Sequence, residues 1–97
     1  MTRIVFLSPA EREMLHAARY YDNQTAGLGS RFLAEVQHTV KRISKNPKSG
    51  QTVRGEFRRR LVRRFPFGIL YRIDPEEIVI VAVMHLRRHP SYWANRI

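Results

Sequence analysis

Ninety-seven residues carry 18 Lys plus Arg against 8 Asp plus Glu, a formal net charge of +10. That length holds one domain, residues 1–97, around one core, and a 43% hydrophobic composition argues against wholesale disorder. The absence of cysteine excludes a disulfide scaffold, a thiolate metal site and a Cys nucleophile. The longest apolar run, residues 78–84, falls far short of the roughly 18–20 residues of a membrane span. The N-terminal run lacks the small-residue cleavage site of a secretory signal, so the expected address is the cytoplasm.

In chain order, residues 3–7 (Arg-Ile-Val-Phe-Leu) read as a short strand. Ser8, Pro9 and Glu11 then predict a helix start: Ser as N-cap, Pro at the first helical position, and Glu completing a capping box. Ala10, Met14, Ala17, Ala18 and Tyr21 share one face of this helix, which should run to Asp22. A breaker-rich link spans residues 23–29. The second helix shows a 3.6-period stripe of Leu28, Phe32, Leu33, Val36, Val40 and Ile43, and Asn46-Pro47 ends it. Its other face carries Arg31, Glu35, His38, Lys41, Arg42 and Lys45. Two helices with one apolar face each and a short link predict an antiparallel hairpin lying on a sheet.

Residues 48–56 read as a polar loop. Residues 57–65 read as an Arg-dominated strand, with Phe57, Arg59, Leu61, Arg63 and Phe65 on one side and Arg58, Arg60, Val62 and Arg64 on the other. Such a strand fits a charged concave surface, or an edge strand protected by charge. Residues 67–73 form the next strand, with Tyr71 in the sheet–helix core. After a turn at residues 74–77 comes the strand 78–85, apolar on both faces and therefore interior. The tail, residues 87–97, is basic and aromatic. The order β-α-α-β-β-β predicts an α+β domain: a helical hairpin packed on a small antiparallel sheet.

The basic residues are 15 Arg and only 3 Lys, and six Arg fall between Arg54 and Arg64. Arg forks onto phosphates and carboxylates and stacks on flat rings, so this surplus points to an anionic partner, a nucleic acid or an acidic protein segment. No His/Asp/Glu cluster has metal-ligand spacing and no Gly-rich phosphate loop follows a strand, so neither a metal nor a nucleotide cofactor is expected. His85 reads as a strand-end residue bonded to backbone, and His16 and His38 as surface or packing residues. Trp93 reads as packing and Tyr92 as functional.

Taken together, Tyr20-Tyr21, Gly27-Leu28-Gly29-x-x-Phe32, Asn46-Pro47, Arg58-Arg59-Arg60-Leu61-Val62, Phe65-Pro66-Phe67-Gly68-Ile69-x-Tyr71-Arg72 and His85-x-Arg87-Arg88-x-Pro90-x-Tyr92-Trp93 form an ordered set from Tyr20 to Trp93, within a resemblance that covers about residues 3–93. The chain resembles toxins of the RelE/ParE superfamily from bacterial type II toxin–antitoxin modules, in the branch often called plasmid-stabilisation proteins. The resemblance implies two antiparallel helices on a small sheet, and growth arrest neutralised by a cognate acidic antitoxin that folds onto the toxin in a hetero-oligomer. It implies one of two targets. ParE-like members poison DNA gyrase; RelE-like members cleave mRNA on the ribosome. The cleavage chemistry must deprotonate a 2′-OH, stabilise the anionic phosphate and protonate the leaving oxygen, without a metal. By residue type Arg58, Arg60, Arg87, Arg88 and Tyr92 match that catalytic set. Gly68 stands where a second-strand Arg is expected, which favours gyrase inhibition and leaves mRNA cleavage as the alternative. Arg54, Arg59, Arg63, Arg64, Arg72 and His89 are the candidate residues for binding target or antitoxin. A non-toxic nucleic-acid-binding module and a degenerate toxin are the remaining readings.

Overall fold

The computed structural model describes residues 3–88 and 92–96. Strand β1 (Arg3–Phe6) leads directly into helix α1 (Ser8–Gln24). The expected Ser8–Glu11 capping box does not form, for the N-cap is Leu7 and makes no side-chain bond. Leu7 lies just past β1 but still bonds to the sheet, its N–H donating to the Ile80 carbonyl at 3.0 Å, while its own carbonyl accepts the Glu11 N–H at 3.0 Å. The chain therefore turns from strand to helix one residue earlier than the capping pattern implies.

Helix α2 (Leu28–Lys45) follows a three-residue link, and Asn46 caps it ahead of Pro47 as expected. Gly27 holds φ +86°, a conformation that favours glycine. Gly29 serves a different purpose. A β-carbon there would lie 2.3 Å from the Ala18 carbonyl oxygen, so the two helices cross in contact only because that atom is missing. Its N–H donates to Asp22 Oδ1 at 2.8 Å, placing a carboxylate at the start of α2. Helix propensity alone favours Gly29→Ala by ~1 kcal/mol. The clash with backbone reverses the sign: the variant should lose about 2 kcal/mol, within the usual range for overpacking. A lowered urea midpoint with unchanged slope checks this.

The remaining strands are β2 (Gln51–Arg54), β3 (Phe57–Leu61), β4 (Phe67–Ile73) and β5 (Glu77–His85), in the sheet order β1-β5-β4-β3-β2. The α+β class and the helical hairpin are as expected, but the sheet is larger and mixed. Residues 48–56 are not simply a loop, since a 3₁₀ turn (Pro47–Ser49) precedes β2. All four β2 residues are exposed, so β2 carries none of the apolar alternation that reveals a strand. It pairs antiparallel with β3 and takes the edge position, leaving β3 inside the sheet. β1 runs parallel to β5, from Arg3↔Glu77 to Phe6↔Ile80. β5 is interior as expected, buried from Ile78 to Met84.

β3 ends at Leu61, short of the expected Phe65. Arg64, at φ +69°, reverses the chain there. The reversal moves Phe65 to the helix-covered face of the sheet, where it meets Tyr21 and Phe32 at ring-centroid distances of 4.9 and 5.2 Å. Phe57 lies on the opposite face against Trp93, with centroids 4.7 Å apart. The sheet thus has two cores. Ala17, Phe32, Val36, Ile43, Ile69 and Tyr71 build the helix side. Leu70, Val79, Val81 and Met84 form the other side under Trp93.

Candidate functional site

The arginines of β3 alternate in direction, and the register shows what each meets. Arg58 pairs with Tyr71 and Arg60 with Ile69, so both take the helix side of the sheet. Their guanidiniums hold the Pro47–Ser49 turn. Arg58 Nη1 donates to the carbonyls of Lys48 (3.1 Å) and Gly50 (2.9 Å), and Arg60 Nη1 donates to Ser49 Oγ. The buried Tyr71 hydroxyl completes the clamp, donating to the Pro47 carbonyl at 2.5 Å and accepting the Gly50 N–H at 3.0 Å. Burial raises the phenol pKa; the Gly50 N–H and the charges of Arg58 and Arg60 offset this only in part.

Arg59 points to the other face. A β-carbon on Gly68 would lie 3.0 and 3.1 Å from Arg59 Cδ and Cγ. The Arg59 stem therefore occupies the space that a side chain at position 68 would fill. Leu61 (55% exposed) and Leu86 (41% exposed) leave apolar surface near this stem. Arg72 does not reach that place. Its guanidinium forks onto Asp74 at 2.8 and 2.9 Å, and this bond holds the Asp74 carboxyl below its ordinary pKa. Arg54 ends β2, while Arg63 and Arg64 form the exposed β3–β4 connection. His89 lies outside the described residues.

The C-terminal candidates gather elsewhere. Glu13, on α1, is the hub. Its carboxylate accepts the Tyr92 hydroxyl at 2.6 Å, both terminal nitrogens of Arg96 (one at 2.8 Å, one at 2.9 Å), and the Val83 N–H at 3.0 Å. Arg96 also donates to the Val81 carbonyl at 2.9 Å. β1 pairs with β5 only as far as Ile80, so these bonds satisfy the β5 edge where the sheet has no further strand. Burial alone would raise the Glu13 pKa. The hydrogen bonds from Arg96, Tyr92 and Val83 outweigh it and hold the carboxyl below its ordinary value. The Tyr92 phenol is driven well above its usual pKa by burial and by Glu13. Arg88 stacks on the Tyr92 ring, its Cζ 4.0 Å from the centroid.

A groove of about 470 Å³ lies between α1 and the end of β5, lined in part by His16, Tyr20, Tyr21, His85, Arg88 and Tyr92. His85 Nδ1 accepts the Arg87 N–H at 3.1 Å, so a neutral ring carries its proton on Nε2. Arg87 itself is exposed. The structure therefore divides the candidates. Arg88, Tyr92 and His85 share the groove, whereas Arg60 faces Ile69, which faces Val83 on the groove wall. Two interstrand spacings separate them, roughly 10 Å between backbones. Sequence reasoning missed Glu13 and Arg96. A signal existed for Glu13: it sits three residues after Ala10 and four before Ala17, an acid inside the apolar face of α1. Among the described residues no group of three His, Asp or Glu could hold a metal ion. Among the described residues no helix is long and apolar enough to cross a membrane.

A family model described as "ParE toxin of type II toxin-antitoxin system, parDE" matches residues 4–90. The chain belongs to the ParE toxin family. A solved structure titled "Chromosomal ParDE TA system from P. aeruginosa" shares the fold of this ParE-family chain. The TM-score is 0.73 at 16% identity, covering 88% of this chain and 96% of that one. No curated relative matches the sequence. The matched segment includes the helical hairpin, all of the sheet but Arg3, and Arg88, but stops before the Tyr92–Arg96 part of the Glu13 network.

Proposed function

We propose that this ParE-family chain arrests bacterial growth by acting on DNA gyrase and is neutralised by a cognate antitoxin. The observation that carries the choice of target is how the would-be nuclease groups are used. Arg58 and Arg60 hold a backbone turn, the Tyr92 hydroxyl is bound to Glu13, and position 68 is glycine. RNA cleavage needs free groups converging on one phosphate. These groups are committed to the fold and lie apart.

The antitoxin reading has its own support. A trough of about 500 Å³ runs between α1 and α2, lined by Phe6, Met14, Leu15, Leu33, Val36 and Val40, with Lys41 at its border. Leu15 is 40% exposed. An apolar trough beside a cation on a +10 chain suits an acidic segment that folds as an amphipathic helix on binding.

Induction in a bacterium with and without the neighbouring open reading frame tests the module. Growth should stop without the neighbour and resume with it; unaffected growth at good soluble expression overturns the toxin reading. In arrested cells plasmid DNA should be relaxed or cleaved while transcripts remain intact. Codon-phased cuts in translated messages would instead support the ribosome-dependent reading.

A further inference from the structure

The polar face of α2 carries a charge pattern that the toxin reading leaves unused. Arg31, His38, Lys41, Arg42 and Lys45 fall within one stripe of the helix, spanning about 21 Å at 1.5 Å per residue. Arg63, from the β3–β4 connection, lies beside its C-terminal part. His38, Lys41, Arg42, Lys45 and Arg63 line a shallow cleft of about 430 Å³. Among the described residues none of Lys41, Arg42, Lys45 and Arg63 has a carboxylate within salt-bridge distance. Glu35 lies 3.8 Å from His38.

Local structure explains only part of this pattern. Arg42 and Lys45 sit in the last turn of α2, where the helix dipole favours cations. It gives no reason for Arg63 to lean onto the same cluster. Arg63 is held there by a turn whose next residue, Arg64, adopts φ +69°, a conformation that a non-glycine residue keeps only when its surroundings impose it. Like charges at i, i+4, as in Lys41 and Lys45, repel each other on an isolated helix.

We infer that this cleft binds the phosphate backbone of duplex DNA. Successive cations along a rigid helix, 4.5–6 Å apart at spacings of three and four residues, meet a regular row of phosphates. No Phe, Tyr or Trp lines the cleft, so it offers no platform on which unstacked bases of a single strand could stack. An acidic protein segment that folds on binding needs an apolar floor as well as charge. No apolar residue lines the cleft, whereas six line the trough between α1 and α2. The inference does not depend on the toxin reading.

The test uses the full chain and a fluorescent 30-base-pair duplex of mixed sequence, followed by anisotropy between 50 and 300 mM salt. Three to four phosphate contacts predict a log–log salt slope of about −2.7 to −3.6. Arg42→Gln with Lys45→Gln and Arg63→Gln should weaken binding at least 30-fold at 50 mM salt and flatten the slope by about 2–3. Lys41 is left in place because it borders the trough. Arg63→Gln alone, in an exposed turn, should flatten the slope by about 0.9 and guards against misfolding of the triple variant. Unchanged affinity and slope in both variants would overturn the inference. So would tighter binding to a single strand of equal length.

Discussion

Glu13→Ala should cost about 3 kcal/mol of stability, the low end for removing one partner of a buried ion pair. The low end applies because the side chains of Glu13 and Arg96 remain 18% and 16% exposed. Three groups lose their acceptor at once: the Tyr92 hydroxyl, the Arg96 guanidinium and the Val83 N–H. For a chain of this size the loss corresponds to a melting temperature lower by roughly 12–24 °C. The damage should also be directional. Residues 92–96 would lose their tie to α1, and Arg88 would lose the fixed ring on which it stacks. Limited proteolysis should therefore cut the C-terminal tail before the body of the domain. A variant that melts early but shows uniform protease sensitivity would mean that Glu13 supports the whole core and not the tail.

The same carboxylate makes stability depend on pH in a defined direction. Its folded-state pKa lies below the ordinary value of 4.5, so folding favours the charged form. The contribution is fully present above about 4.5 and disappears as pH falls through the depressed folded-state value. Glu13→Gln cannot titrate. Its stability deficit against the native chain, read from urea midpoints, should be largest at pH 7 and shrink at pH 3. A constant deficit across that range would sink this account.

How much of this was readable in the residues follows from what each signal reports. The helices were readable because their stripes are local: Phe32, Val36 and Ile43 repeat at helical spacing and Asn46-Pro47 closes the pattern. β4 was readable for the same reason, with Phe67, Ile69 and Tyr71 alternating into the core. β2 was not, since a strand exposed on both faces has no hydrophobic period. Nor was the parallel pairing of β1 with β5, which joins Arg3 to Glu77 across almost the whole chain. At the candidate site the residue types of β3 were visible, but not their commitments. Whether Arg58 meets solvent or the Lys48 carbonyl depends on a turn that only tertiary structure brings alongside. Arg64 shows the sharpest failure. One residue at positive φ breaks the alternation assumed from Phe57 onward and sends Phe65 to the opposite core.

Trp93→Ala should be the most damaging single change, at about 3–5 kcal/mol, the range for truncating a large buried aromatic side chain. Trp93 is only 1% exposed and covers Leu70, Val79, Val81 and Met84 on the face of the sheet that α1 and α2 leave uncovered. It is also the chain's one tryptophan, so far-UV circular dichroism, and not its fluorescence, must follow the variants. Its contribution comes from area and shape and not from a hydrogen bond. The buried indole Nε1 has no partner among the described residues, a deficit of about 1–3 kcal/mol for a desolvated donor. Trp93→Phe removes that donor together with one ring. The lost packing and the relieved N–H should nearly cancel, leaving the variant within about 1 kcal/mol of the native chain. The contrast between the two substitutions is the informative result. If Phe were as damaging as Ala, the indole N–H would have to be making a bond that matters, and the tail would be held by polarity. If Phe is tolerated and Ala is not, the tail is held as a hydrophobic plug. Glu13 then fixes its direction, while Trp93 supplies most of the energy that keeps it on the sheet.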